Sequence, residues 1–285
     1  MESRQINMRI INALLAVAMM LATLASCGSG KKPETPRILV LYYSQTATTR
    51  TVAEAFAAKL QADIEAVVPE VPYDGSYQET IQRGREELQE SKFPALKPLA
   101  ADLAAYDVIF LGYPIWFGTY ANPIATLIEE NDFSGKKIVP FCSFGSGGLE
   151  SSAKNLADRL PESEILPGYG VRAARIDAAP AEVERFLKAG GFLPGYADPL
   201  PEFPASHPVS EEEAAIFEDA VGDYPMINAS AATVSSRPVP EGMEYRFTAI
   251  DRPRESSAQQ AQREITVYVL ASEGEVPVFT RVVRP

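Results

Sequence analysis

The stretch YYSQTATTR, Tyr42 to Arg50, follows the apolar run ILVL and leads into TVAEAFAAKL, which has helical spacing of apolar residues. A tight surface turn would use Gly, Asn, Asp or Pro, which supply the dihedrals such turns need. Here five of the six residues from Ser44 to Thr49 carry a hydroxyl or amide side chain. A strand-to-helix turn exposes the first N–H groups of the helix, and the helix dipole favours an anion there. Ser44, Thr46, Thr48 and Thr49 would add donors without positive charge, and Gln45 and Ala47 complete the loop. A phosphate monoester fits that description. The alternative is a polar helix start with no ligand.

Outward from this loop, short apolar runs alternate with amphipathic segments. Residues 37–43, 63–68, 106–113, 136–143 and, more weakly, 165–173 read as strands. TRTVAEAFAAKL, NPIATLIEEND, SSAKNLADRL and AEVERFLKAG read as helices. Apolar strands separated by helices predict an α/β fold, a doubly wound five-stranded parallel sheet over residues 37–191. Residues 69–105 are longer than a connection needs. There Ser76 and Glu79 have capping-box spacing and predict an extra helix, with an excursion of the chain along the carboxyl ends of the strands.

In such a sheet, ligands bind beyond the carboxyl ends of the strands, where strand order reverses. Two more loops belong there. GYPIWFGTYANPI follows the third strand and holds the only tryptophan, Trp116, with Pro114, Ile115, Phe117 and Gly118 around it. Indole offers a flat apolar face to a planar ring. CSFGSGGLESS follows the fourth strand, and its glycines, Gly145, Gly147 and Gly148, allow backbone to approach a ligand closely.

The three loops in this order resemble those of the flavodoxin family. Ser44, Thr46 and Thr49 match its phosphate loop, while Ala47 and Thr48 stand where Gly and Asn are usual. The resemblance implies FMN as cofactor: its phosphate on residues 44–49, its ring beside Trp116 and Phe117. Backbone contacts to the pyrimidine edge would come from Ser143, Phe144, Gly145, Ser146 and Gly147. Gly118 would permit the peptide rearrangement that family members make at reduced flavin. The insertion, with Tyr73 and Tyr77, resembles that of Tyr-containing members; Tyr77 is read as packing the insertion onto the sheet, the alternative being closure over the cofactor.

An apolar pocket on an acidic protein disfavours extra negative charge on the ring, so low-potential electron carriage is expected, with no catalytic side chain required. A redox protein or a quinone-like small molecule would be the partner. The alternatives are a quinone or flavin reductase, with Tyr113 or Tyr120 as proton donor, and a flavodoxin-fold binding module that has lost its cofactor.

Composition narrows the setting. The 285 residues carry a formal charge of -12 and a pI near 4.7, which argues against a nucleic-acid partner. The start of the chain has Arg4 and Arg9, then the apolar INALLAVAMMLATLA, then Leu24-Ala25-Ser26-Cys27. The run is short for a membrane span and fits an export signal. Its end resembles the lipobox of bacterial lipoproteins, which implies cleavage after residue 26, lipidation of Cys27, a tether over 27–36 and attachment to the cell envelope. The other cysteine, Cys142, sits in the apolar KIVPFCSF and reads as a buried small hydrophobe. The single histidine, His207, lies in a Pro-rich stretch, which argues against a histidine-based metal site and a Ser-His-Asp triad.

Residues 192–207 are rich in Pro and Gly and read as a linker to a small α+β domain at 208–285. Ser210 and Glu213 form a second capping-box pattern opening a helix, and four strand-like runs follow. This part faintly resembles a cystatin: Val239, Gly242 and Tyr245 match the inhibitory hairpin region, while Pro238, Pro240 and Glu241 depart from it. It is read as an interaction module that positions the larger domain.

Overall fold

The apolar run before the opening loop becomes a strand in the middle of a parallel sheet, and the segment after the loop becomes a helix packed on it. The computed structural model describes residues 36–195, 199–222, 224–252 and 263–285. The expected export signal and Cys27 lie outside the described residues.

In chain order the first part contains β1 (Ile38–Tyr42), α1 (Thr48–Leu60), β2 (Asp63–Ala66), α2 (Tyr77–Glu90), β3 (Val108–Trp116), β4 (Thr119–Tyr120), α3 (Asn122–Glu130), β5 (Lys137–Phe144), α4 (Leu149–Arg159), β6 (Glu164–Ile165), β7 (Tyr169–Arg172) and α5 (Ala179–Ala189). The parallel order is β2-β1-β3-β5-β6, with β7 pairing β5 further along and β4 turning back on β3. The chain therefore steps one way from β1 to β2 and the other way to β3. Strand order reverses between β1 and β3, which is where the expected loops lie.

Alternation along each strand divides the core between the two faces. Leu39, Leu41, Ile109, Leu111 and Tyr113 face α3, α4 and the insertion, whereas Val40, Tyr42, Phe110, Val139 and Phe141 face α1 and α5. Such double burial explains why β1, β3 and β5 read as continuous apolar runs.

Two of the expected strands differ in detail. The weak fifth strand is split into β6 and β7, because ILPGYG places Pro167 and Gly168 between its apolar ends. The third strand continues past Tyr113 to Trp116, so Pro114, Ile115 and Trp116 are strand residues rather than loop residues. The insertion supplies α2, and its capping box forms as expected: the Ser76 hydroxyl accepts from Glu79 N–H while the Glu79 carboxylate accepts from Ser76 N–H.

The C-terminal part contains β8 (His207–Pro208), α6 (Glu211–Val221), β9 (Ala229–Val239), β10 (Gly242–Asp251), β11 (Arg263–Ala271) and β12 (Val278–Val283). The helix opens on the Ser210–Glu213 capping box, and the strands form an antiparallel sheet ordered β12-β11-β10-β9-β8. Its core joins Phe217 and Val221 of α6 to Val234, Phe247, Val267, Val269 and Phe279 of the sheet. Arg37–Pro285 is one compact unit, held in part by contacts of β12 with β7 and with the loop after β5.

Candidate functional site

The loop between β1 and α1 keeps its donors free. Among the described residues, no protein acceptor takes the backbone N–H groups of Thr46, Ala47, Thr48 or Thr49. The hydroxyls of Thr46 and Thr48 lie 3.3 Å apart, and the Ser44 hydroxyl accepts from Arg50 N–H. Ala47 has φ 67°, the left-handed region in which glycine is at ease and a Cβ is strained. The loop thus has the conformation that glycine would favour, at a steric cost borne by alanine. Gln45 departs from the expected role in one respect: its side-chain amide turns to the insertion, donating to Thr80 Oγ1 at 3.0 Å and Tyr73 O at 3.3 Å.

The second loop is a two-residue turn. Ile115 pairs with Tyr120 and Trp116 with Thr119, and the intervening Phe117 and Gly118 have φ 51° and 85°. Positive φ at both positions is the type I′ pattern that suits a right-twisted hairpin. Trp116 is half-buried and wedged edge-on against two tyrosines, with ring centroids 5.7 Å from Tyr43 and 5.0 Å from Tyr73. Tyr73 is in turn fixed by Arg83 over its ring at 3.8 Å and by its hydroxyl donating to Glu87 Oε2 at 2.6 Å. Asn122 donates to the same oxygen at 2.7 Å, and Arg83 Nε to the other at 2.8 Å. Burial and the Glu87 carboxylate push the Tyr73 phenol well above its ordinary pKa, so it remains a neutral donor. The expected packing role belongs to Tyr73. Tyr77 does not share it, being 76% exposed at the start of α2.

The third loop leaves β5 at Ser143 and Phe144, both buried, and passes through Gly145, Ser146 and Gly147. Thr49 and Ser143 share a buried hydroxyl–hydroxyl hydrogen bond of 2.8 Å, which ties the first loop to the third. Ile115 packs against Gly148 at the foot of α4, which brings the second loop to the third. All three loops therefore meet at one end of the sheet. Phe144 contributes only backbone there, because its ring is part of the core.

The remaining titratable candidates are structural. Tyr113 is fully buried, 3.2 Å from Ser152 Oγ, and burial pushes its pKa far up; Tyr120 is raised by burial too. Cys142 of β5 is buried in the core on one face of the sheet, and desolvation raises its thiol pKa well above the ordinary value. Among the described residues, no group of three His, Cys, Asp or Glu side chains could hold a metal ion.

Free loop N–H groups, neutral hydroxyls and a propped indole at a topological switch point form a cup for a phosphorylated planar ligand. The family model described as Flavodoxin matches residues 37–180, which is half of the chain. The chain belongs to the flavodoxin family. It is similar to an NAD(P)H dehydrogenase (quinone) of Gluconacetobacter diazotrophicus, 36% identical over 99 residues that make up 33% of this chain and 46% of that protein. The matched region thus spans under half the length of this curated relative. Among solved structures, a candidate flavoprotein of Bacteroides eggerthii is 29% identical, with 54% of this chain and 96% of that one covered and a TM-score of 0.48. A flavoprotein in complex with FMN from Lactobacillus acidophilus is 23% identical, with 50% and 97% covered and a TM-score of 0.44.

Sequence reasoning did not reach several residues around these flavodoxin loops. Tyr43 lies next to the quoted loop, and its aromatic ring before Ser44 is a signal that could have found it. Arg172, Tyr224, Val282 and Arg284 also reach the third loop, and no local motif marks them.

Proposed function

We propose that this flavodoxin-family chain binds FMN in the three-loop cup and carries electrons at the cell envelope, attached through a lipid on Cys27. The observation that supports this most is the set of unpartnered N–H groups at Thr46 to Thr49, one strand away from Trp116. FMN supplies reversible one- and two-electron chemistry when bound. Residues 44–49 would hold its phosphate with neutral donors. Trp116 and Phe117 would provide apolar surface at the ring, and the backbone of 143–147 would donate to its polar edge. Tyr113 and Tyr120 stay protonated and enclosed, which suits electron carriage without a side-chain proton donor. The LASC sequence after an apolar run supports export and lipidation, and the net charge of -12 suits docking of a basic redox partner.

A second reading is an FMN-dependent quinone reductase acting on a quinone-like small molecule. It is favoured by the likeness to the NAD(P)H dehydrogenase (quinone). One preparation tests both readings. The full chain, purified in detergent, is incubated with FMN and desalted, and its visible absorption and flavin fluorescence are recorded. A retained and quenched flavin is expected; a colourless protein with native circular dichroism would overturn both. With flavin retained, fast bleaching by NADH or NADPH and turnover with a soluble quinone would favour the reductase. Bleaching only by photoreduction would favour the carrier.

A further inference from the structure

The third loop is gripped from outside by the C-terminal sheet. Val282 N–H donates to Ser146 O at 2.6 Å. The carbonyl of Val282 lies so close to Gly147 that a Cβ there would stand 2.1 Å from its oxygen. Arg172, at the end of β7, donates from Nε to Gly145 O at 2.9 Å and from Nη1 to Phe279 O at 2.8 Å. Its guanidinium lies 3.4 Å from the centre of the Phe279 ring and 5.4 Å from that of Tyr224. Arg284 reaches Ser146 Oγ at 3.4 Å while its other nitrogen donates to Met226 O at 2.9 Å. The strand making these contacts, β12, is the edge of its sheet, and an edge strand has an outer row of unpaired N–H and C=O groups. At Val282 that outer row is used on the loop.

Peptide planarity turns this grip into an orientation. In a trans peptide the C=O of one residue and the N–H of the next point in opposite directions. Holding Gly145 O on Arg172 therefore aims Ser146 N–H away from Arg172. Holding Ser146 O on Val282 likewise aims Gly147 N–H away from β12. Among the described residues neither N–H has a protein acceptor.

We propose that β12 and Arg172 act as a clamp that sets the shape of the ring-binding loop, so that flavin affinity is coupled to the contacts that Arg172, Val282 and Arg284 make on that loop. Arg172, Val282 and Arg284 are then positioning residues for the cofactor although none needs to touch it. The proposal rests on the FMN reading above.

The test uses the full chain in detergent, titrated separately with FMN and with riboflavin by fluorescence quenching. Arg172→Ala removes a charged donor from two carbonyls and should weaken FMN binding about tenfold. Riboflavin, which lacks the phosphate, should lose affinity by the same factor, because the clamp serves the ring. Val282→Pro removes the N–H on the outer edge of β12 and should act in the same direction. Arg185→Ala breaks the ion pair with Glu241, which also joins the two parts without a hydrogen bond or ion pair to residues 145–147; it should leave affinity unchanged. In the wild type, FMN should slow hydrogen exchange at the Val282 amide, since coupling is reciprocal. Wild-type affinity in folded Arg172→Ala and Val282→Pro, or an equal loss in Arg185→Ala, overturns the clamp while leaving the FMN site standing. A wild-type chain that retains no FMN overturns the site and the clamp together. Should Val282→Pro not fold, Arg284→Ala replaces it with the same expected direction.

Discussion

The loop after β1 and the loop after β5 sit side by side, but different parts of the chain hold them. Residues 44–49 are braced by the insertion through Gln45 and by β5 through the Thr49–Ser143 hydrogen bond. Residues 145–147 are braced by Arg172 and by the end of the chain, Arg284 reaching Ser146 across 138 positions. The loop after β1 is held by the parallel sheet and its insertion alone. The loop after β5 is shared between two sheets, so its geometry depends on a contact that the parallel sheet cannot make by itself.

The sharpest way to break this comparison is Gly147→Ala. The added Cβ meets a backbone carbonyl, which cannot rotate aside as a side chain would. Overpacking of this kind costs about 1–3 kcal/mol, and here it should be taken as undocking of β12. Limited proteolysis should release a C-terminal fragment faster than in the wild type, with the parallel sheet intact by circular dichroism. A variant with wild-type proteolysis would mean that the two sheets are not coupled through this glycine.

Thr49→Val asks the same question of the first loop. It keeps the shape of the side chain and leaves the buried Ser143 hydroxyl without its partner, which should lower unfolding stability by about 1–2 kcal/mol. Urea denaturation reads the change, and rates of C-terminal proteolysis below the transition should stay as in the wild type. If they rise, the two loops are one mechanical unit and the contrast drawn above fails.

How far the two regions could be read from sequence follows from the same contrast. The SQTATT loop, the Trp116 turn and the Gly-rich loop each announce themselves within a dozen residues, because their chemistry is written in neighbouring side chains. Both capping boxes formed where Ser76–Glu79 and Ser210–Glu213 spacing placed them. Tyr77 was misjudged because α2 turns it outward, and helix phase in an insertion depends on where the insertion docks. The docking of β12 was not legible at all. A single N–H from Val282 to Ser146 leaves no periodicity or composition behind, and the alternating pattern of VPVFTRVV reports only which face is buried in its own sheet.

Ala47→Gly sharpens the comparison from the other side, as a gain. Glycine at φ 67° removes the strain of a left-handed alanine, roughly 1 kcal/mol, offset in part by its greater freedom in the unfolded chain. A net stabilisation of about 0.5 kcal/mol, seen as a small rise in melting temperature, is expected. FMN affinity should change little, because the free loop already has this conformation and the strain is relieved in free and bound states alike. Destabilisation instead would show that contacts of the Ala47 methyl outweigh its strain.

The smallest expected effect concerns the far end of α1. Lys59 there pairs with Glu184 of α5, and Lys188 pairs with the same carboxylate. These ammonium groups, Lys188 first, hold the Glu184 carboxyl at a pKa of about 2, below its ordinary 4.5. A carboxyl whose pKa is lowered on folding stabilises the fold fully above its ordinary value, and that stabilisation fades as pH falls from about 4.5 towards 2. The pair is at the surface, so the effect is slight and screened by salt. Glu184→Gln should make the decline in urea midpoint between pH 5 and pH 2.5 shallower than in the wild type, and more so at low ionic strength. The loop after β1 lies at the opposite end of α1, so the affinity of the chain for FMN at neutral pH should not change. A shift in that affinity would mean that the first loop also depends on a distant brace, as the loop after β5 depends on Arg172 and β12.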